Sequence, residues 1–410
     1  MSTKTIPKKS LFYSILILGT LLICFSILEI GIRIFFPQSD LRIGQGYLFR
    51  YEPIIGYEGV PNAKGYFATS QFKTLVTHNK EGFRDIDHEH KNHTNTFRIL
   101  ALGDSYTWGH GVENNQIYVK LLENYDTNIE VINMGGPGGD PPGELKVYKF
   151  RGLEYDHDIV LLGFYVGNDI VSYYPQEDDS PPQYGYNEKG EFVLIGKVQP
   201  PEIVEKIRKE SLEKYSPKKY KGLKENMYYW LVQHIQLYTF IDNFQNYYLR
   251  VIKSSPFWTK IKNIFGIENK YALGFLNYCK PEDSEEIQYG WNILYSTLET
   301  LKHYSSEAKA KLYVVIIPHV VQTSKNIYDY ELIRSGHDPS SFDLEKPNNK
   351  LAEMCNKLGI DYLDLLPVMK EESSQGKLLY FPRDAHWNAE GHRIAAREIY
   401  KDLTGRGWLQ

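Results

Sequence analysis

Five short, almost uninterrupted apolar runs constrain this chain more than any other feature: Phe97 to Leu102, Glu130 to Met134, Ile159 to Tyr165, Leu312 to Ile317 and Tyr362 to Leu366. A strand with one wet face alternates polar and apolar residues. These runs leave almost no polar face, which fits strands of a parallel sheet covered on both sides. Between them, Gln116 to Tyr125, Pro142 to Glu154, Glu285 to Ser306 and Ala389 to Leu403 carry apolar residues three and four apart, the spacing of one helix face. Strand and helix therefore alternate, and the expected fold class is α/β, a doubly wound, flavodoxin-like parallel sheet. With 410 residues, 42% of them hydrophobic, the chain can bury a large core.

Two stretches break that alternation. Leu11 to Leu28 is uncharged and rich in Leu, Ile and Phe, close to the roughly 20 residues that cross a bilayer. Lys4, Lys8 and Lys9 precede it, so the positive-inside bias keeps them cytoplasmic and sends the bulk of the chain to the periplasm or exterior. A cleaved signal peptide is the competing reading, but no small-x-small site follows the apolar run, and Ile23 before Cys24 is too large for a lipoprotein site. The second stretch, Val171 to Glu282, holds the lysines 218, 219, 221 and 224 and an aromatic helix candidate, Glu225 to Arg250, with Tyr228, Tyr229, Trp230, Tyr238, Phe240 and Phe244. It reads as a helical insertion. The expected organisation is a cytoplasmic tail over 1–10, a transmembrane anchor over 11–36, a stalk and extension over 37–96, and a domain over 97–410 interrupted at about 172–282.

A net charge of −4 gives no general attraction to nucleic acid, and no zinc-finger or RNP-like spacing accompanies it. Cys24, Cys279 and Cys355 form no CxxC pattern, although Cys279 and Cys355 can be weighed as a pair in an oxidising compartment. The glycine stretch from Gly135 lacks both the dinucleotide and the P-loop spacing, and His386 and His392 form no H-E-x-x-H pattern. Neither a cofactor nor a metal is expected.

The chemistry is carried by Leu102-Gly103-Asp104-Ser105, at the end of the first apolar run, where an open α/β sheet presents its ligand crevice. A serine opening a turn into a helix gains backbone N–H donors and a positive helix end, both favourable to charge on an attacked carbonyl oxygen. It still needs a base and an acid to orient that base. Asp384-Ala385-His386-Trp387-Asn388 supplies both: His386 to accept the Ser105 proton and Asp384 to hold the other ring nitrogen. Taken alone, an Asp-x-His is equally a helix-start aspartate beside a surface histidine. Asn133 to Gly138 and Gly167-Asn168-Asp169 follow the second and third runs, so they reach the same sheet edge. The N–H groups of Ser105 and Gly138 with the Asn168 amide would make an oxyanion hole, while turn geometry and strand capping are their ordinary alternatives.

The order Gly-Asp-Ser, glycine block, Gly-Asn-Asp and terminal Asp/His resembles the SGNH or GDSL hydrolase superfamily, named for its Ser, Gly, Asn and His. The resemblance spans Phe97 to Leu403 apart from the insertion. It implies Ser105 as nucleophile and oxyanion donor, Gly138 and Asn168 as further donors, His386 as base and Asp384 as its partner. Two positions depart from the pattern. Many members place the acid three residues before the histidine, where Arg383 stands, and Val166 replaces a glycine two before Asn168. The Asp-Ala-His-Trp-Asn form resembles the branch that includes polysaccharide O-acetylation proteins, and Asn79-Lys80-Glu81-Gly82-Phe83-Arg84 resembles a segment upstream of the nucleophile in anchored members. The expected activity is a cofactor-free serine esterase or deacylase acting on an acyl ester or acetylated glycan. The alternatives are an O-acyltransferase served by a membrane acyl donor, and a non-catalytic glycan-binding module.

Overall fold

The computed structural model describes residues 8–35, 48–68, 71–170, 182–196, 274–335, 337–382 and 384–409, with scattered positions between 200 and 241. The insertion lysines 218, 219, 221 and 224, most of the Glu225 to Arg250 segment and Arg383 lie outside the described residues. Two antiparallel hairpins come first, β1 (Phe49–Glu52) with β2 (Gly56–Gly59) and β3 (Lys64–Ala68) with β4 (Lys73–Thr77). The sheet follows as β5 (Phe97–Gly103), β6 (Ile129–Asn133), β7 (Ile159–Tyr165), β10 (Lys311–Ile317) and β11 (Asp361–Asp364), with a small hairpin of β8 (Gln183–Tyr186) and β9 (Phe192–Ile195) between β7 and β10.

The five sheet strands are all parallel and lie in the order β11-β10-β7-β5-β6. Counted along the chain, this is the flavodoxin-like order, whose switch point falls between β5 and β7. The missing polar face of the apolar runs has a direct cause. Leu100 and Leu102 of β5 point into one core with Leu145, Trp291, Leu294 and Leu298, while Ile99 and Ala101 point into another with Trp387, Ile394, Ala395 and Ile399. The helices Pro141–Phe150 and Glu285–Glu307 thus cover one face, and Ala389–Gly405 covers the other. Cys279 and Cys355 are separate, buried free thiols within the first core.

Local chemistry trims several expected elements. The Gln116 to Tyr125 segment is not one helix, because Ile117 is extended at φ −67° and ψ 133° and splits a 3-10 turn from the short helix Tyr118–Leu121. The turn is closed separately by reciprocal side-chain caps from Glu113 and Gln116. The last run is strand only to Asp364, whose carboxylate accepts the Leu366 N–H at 2.9 Å and starts the helix Leu366–Ser374.

At the amino terminus, Lys8–Phe35 is a single helix whose Phe12–Ile34 portion is long and apolar enough to cross a membrane. Leu16, Ile17, Leu21, Leu22 and Ile27 are all exposed, so no core among the described residues covers them.

Candidate active site

The site grows from the carboxyl edge of β5. Gly103 ends the strand at φ +149°, and a Cβ there would strike Thr107 and the Gly163 carbonyl, so glycine is required for the chain to turn. Asp104 then caps the short helix Ser105–Trp108, its Oδ1 accepting the Tyr106 N–H at 2.9 Å. This turn sets Ser105 at the helix start, nearly buried and above the sheet edge. The glycine block is fastened alongside, because Gly136 N–H donates to the Gly103 carbonyl at 2.9 Å and the Asn133 side-chain amide donates to the Thr107 carbonyl at 3.0 Å.

The acid and base come from the loop before the last helix. Asn388 caps that helix by accepting the Glu390 N–H at 2.9 Å, and Tyr380 bridges Trp387 across the loop. The loop is thereby held as a narrow bend from Phe381 to His386, closed by a Phe381 N–H to His386 carbonyl bond of 3.0 Å. Tyr106 braces it from the nucleophile side, its ring 5.1 Å from that of His386.

Ser105 Oγ and His386 Nε2 are 2.6 Å apart, although 281 residues separate them in sequence. His386 Nδ1 bonds Asp384 Oδ1, which also accepts the His386 backbone N–H at 2.9 Å. The three residues thus form one hydrogen-bonded chain from hydroxyl to carboxylate. Burial alone would raise the Asp384 carboxyl, but the close His110 imidazole and the hydrogen bonds from His386 outweigh it and hold the group well below the usual carboxylate range. Gly138 and Asn168 reach the same edge without a direct bond to Ser105. Gly138 adopts φ +74° with open space where a Cβ would stand, and Asn168 follows β7 with its side chain toward the Asp104 carboxyl.

Three further carboxyls lie buried behind the nucleophile. Burial pushes Asp104 up to about 6, against its bond from the Tyr106 N–H. Burial, with the charge of Asp104, pushes Glu144 and Asp169 well above the usual range. Both Glu144 oxygens and one oxygen each of Asp104 and Asp169 have no well-aligned partner. A cavity of about 310 Å³ borders Gly103, Gly138 and Glu144 and is walled by Tyr57, Trp108 and Tyr184.

Two contributors escaped the sequence reading. His110, directly after the nucleophile helix, stacks on His386, and Asp104 is more than a motif letter because it caps the nucleophile's own helix. The only hint of the first was a histidine set between Gly109 and Gly111. Among the described residues, His110, Asp384 and His386 offer ligand atoms within 4.8 Å of one another, spacing that suits a metal ion, although Asp384 Oδ1 and His386 Nδ1 already bond each other.

A five-stranded parallel sheet of this order, flanked by helices on both faces, is a doubly wound α/β architecture that fits the SGNH hydrolase-like fold. More narrowly, residues 296–409 match the family described as SGNH hydrolase-like domain, acetyltransferase AlgX; the matched part holds Asp384 and His386 and stops short of Ser105. Comparison with curated proteins gives no match. Among solved structures, a lipolytic protein of the G-D-S-L family from Veillonella parvula is 12% identical with a TM-score of 0.36, over 75% of this chain and 99% of that one. The acetyl xylan esterase AlAXEase is 10% identical with a TM-score of 0.36, over 75% of this chain and 100% of that one. The psychrotrophic esterase EstA from Pseudoalteromonas sp. is 13% identical with a TM-score of 0.32, over 75% and 97%.

Proposed function

We propose that this chain is a serine esterase that deacylates O-acyl esters, acetylated carbohydrate among them, on the outer side of the membrane that its amino-terminal helix crosses. The observation that carries the reading is the 2.6 Å approach of Ser105 Oγ to His386 Nε2. As Ser105 Oγ attacks the ester carbonyl, its proton passes to His386 Nε2, and Asp384 stabilises the imidazolium formed. The carbonyl oxygen, now negative, is received by the Ser105 and Gly138 N–H groups and the Asn168 amide, each such donor being worth about 2.7 to 4 kcal/mol in comparable sites. Collapse expels the alcohol, which takes the proton from His386. Water then repeats the sequence on the acyl-enzyme, releasing the acid and restoring Ser105. The chemistry uses side chains already present and requires no cofactor.

A fluorophosphonate probe tests this reading, because it labels only an activated serine. The full chain should be labelled and should hydrolyse p-nitrophenyl acetate; Ser105→Ala should abolish both, and His386→Ala should lower turnover by at least about a thousandfold. An unlabelled wild type would sink the proposal and favour a binding module.

The match to an acetyltransferase family supports a second reading, in which a sugar hydroxyl replaces water and a membrane partner supplies the acyl group. Both readings use the same residues. Isotopic acetate appearing on an added glycan, rather than free in solution, distinguishes transfer from hydrolysis.

A further inference from the structure

Asp384 has two carboxylate oxygens, and the relay to Ser105 uses one. Oδ1 bonds His386 through both ring and backbone. Oδ2 faces His110 Nε2 at 3.3 Å, and that nitrogen is buried with no better-aligned partner. The two imidazoles also stack, ring centres 3.9 Å apart and planes 20° from parallel. His110 also meets Phe67 and Phe72 in T-shaped ring contacts, centres 5.1 Å apart in both.

The backbone fixes His110 in that slot. Its N–H donates to the Ser105 carbonyl at 2.9 Å, so the residue is tied to the nucleophile's own turn. Gly109 and Gly111 flank it at φ +91° and +83°; a Cβ at the first would strike Ile117, and at the second Phe381. His110 is therefore wedged between the nucleophile turn, the acid and the base.

We propose that His110 is a positioning residue for the Ser105, His386 and Asp384 relay, holding Asp384 by its second oxygen and backing the His386 ring. The inference rests on the reading of Ser105 as nucleophile. Asp384 stands two residues before the base on a short loop, and one bonded oxygen leaves its carboxylate free to turn about the Cβ–Cγ bond. A second contact stops that rotation. The stack in turn stops the His386 ring from swinging Nε2 away from Ser105. Burial, with the charges of His386 and Arg84, lowers the His110 imidazole from its ordinary value, while Asp384 opposes the shift. His110 is then neutral near pH 7, and an imidazolium formed on His386 meets an aromatic face rather than a second cation.

The test uses the full chain in detergent, with p-nitrophenyl acetate turnover and fluorophosphonate labelling rates. His110→Phe keeps the ring and loses the nitrogen; His110→Gln places an amide donor near the same point. If His110 positions the relay, the Phe variant loses about tenfold in kcat, the loss of one modest contact. Its KM stays within about twofold, since no substrate contact is removed. The Gln variant recovers most of the loss, and both melt within a few degrees of the wild type. Unchanged kcat in the Phe variant overturns the proposal, and so does an equal loss in both variants at preserved stability. Loss of wild-type activity on chelation, restored by zinc, also overturns it, because His110 would then be a metal ligand. A wild type that is neither labelled nor active instead defeats the Ser105 reading beneath it.

Discussion

At the scale of single residues, the buried Asp104 has a titration that can be tested directly. Its carboxyl is fully buried and pushed up to about 6. The folded state therefore keeps a proton that the unfolded chain releases near the ordinary value of about 3.9. Between those two values the folded state binds more protons, so stability falls as pH rises through the window and stays lower above it. Asp104→Asn removes the ionisable group while leaving an oxygen to accept the Tyr106 N–H. We expect the variant to be more stable than wild type at pH 8, by on the order of 3 kcal/mol, with the gain vanishing near pH 4. Thermal melts across that range check it, and a gain independent of pH would count against the buried charge as its cause. Asp384 behaves oppositely. Its carboxylate is held well below the usual range, which favours the ionised form that the relay needs. Asp384→Asn should lower kcat by about three to four orders of magnitude, because the amide offers the wrong partner to His386 Nδ1.

At the scale of elements, the nucleophile's four-residue helix is too short to hold itself, and the segment before the sheet holds it instead. The Arg84 guanidinium, buried and set over the Trp108 ring, donates to the carbonyls of Gly109 and Val112 at 2.5 and 2.6 Å and to Asn114 Oδ1 at 2.8 Å. Asp85 beside it accepts the Asn133 N–H at 2.8 Å, tying the same segment to the glycine block. Arg84→Met leaves these carbonyls without a buried donor, at about 1 to 3 kcal/mol each. Denaturant unfolding should show a loss of roughly 3 kcal/mol or more, and labelling of Ser105 should slow with it. A stability loss without slower labelling would separate Arg84 from the site. These ties explain what the sequence could and could not reveal. Strands covered on both faces, and helices with one apolar stripe, carry their environment in their own residues. Ser105 was legible from its place after such a strand, and His386 from its place before such a helix. The early segment was legible only as a stalk with irregular strands; their pairing into two hairpins was not, since strands of four and five residues with mixed burial have no period to read. The strand order, the Arg84 ties and the His110 stack depend on contacts far apart in sequence, which no local pattern encodes.

At the scale of the whole molecule, the question is which side of a membrane the domain occupies. The Lys8–Phe35 helix is about 42 Å long at 1.5 Å per residue, enough to cross a hydrocarbon core of about 30 Å. Lysines at its start and an Arg33–Glu29 pair at 2.8 Å near its end give it two polar limits. The twelve residues from 36 to 47 separate that helix from the first described residue of the domain. Fully extended they span at most about 43 Å, so a retained anchor would keep β1 within about that distance of the membrane surface. With the helix retained as the proposed anchor, any reaction at Ser105 would be confined to a shell near the bilayer, which would favour substrates that are themselves held there or pass through it. The positive-inside bias would make that shell the outer one, the side on which the proposed function places the domain. Trypsin added to spheroplasts expressing the full chain should therefore cut the domain while a tag on residue 1 stays protected until the membrane is opened. Protection of the domain together with cleavage of the tag would reverse the orientation. Release of the intact domain into the medium, without protease, would instead identify the helix as a cleaved signal sequence.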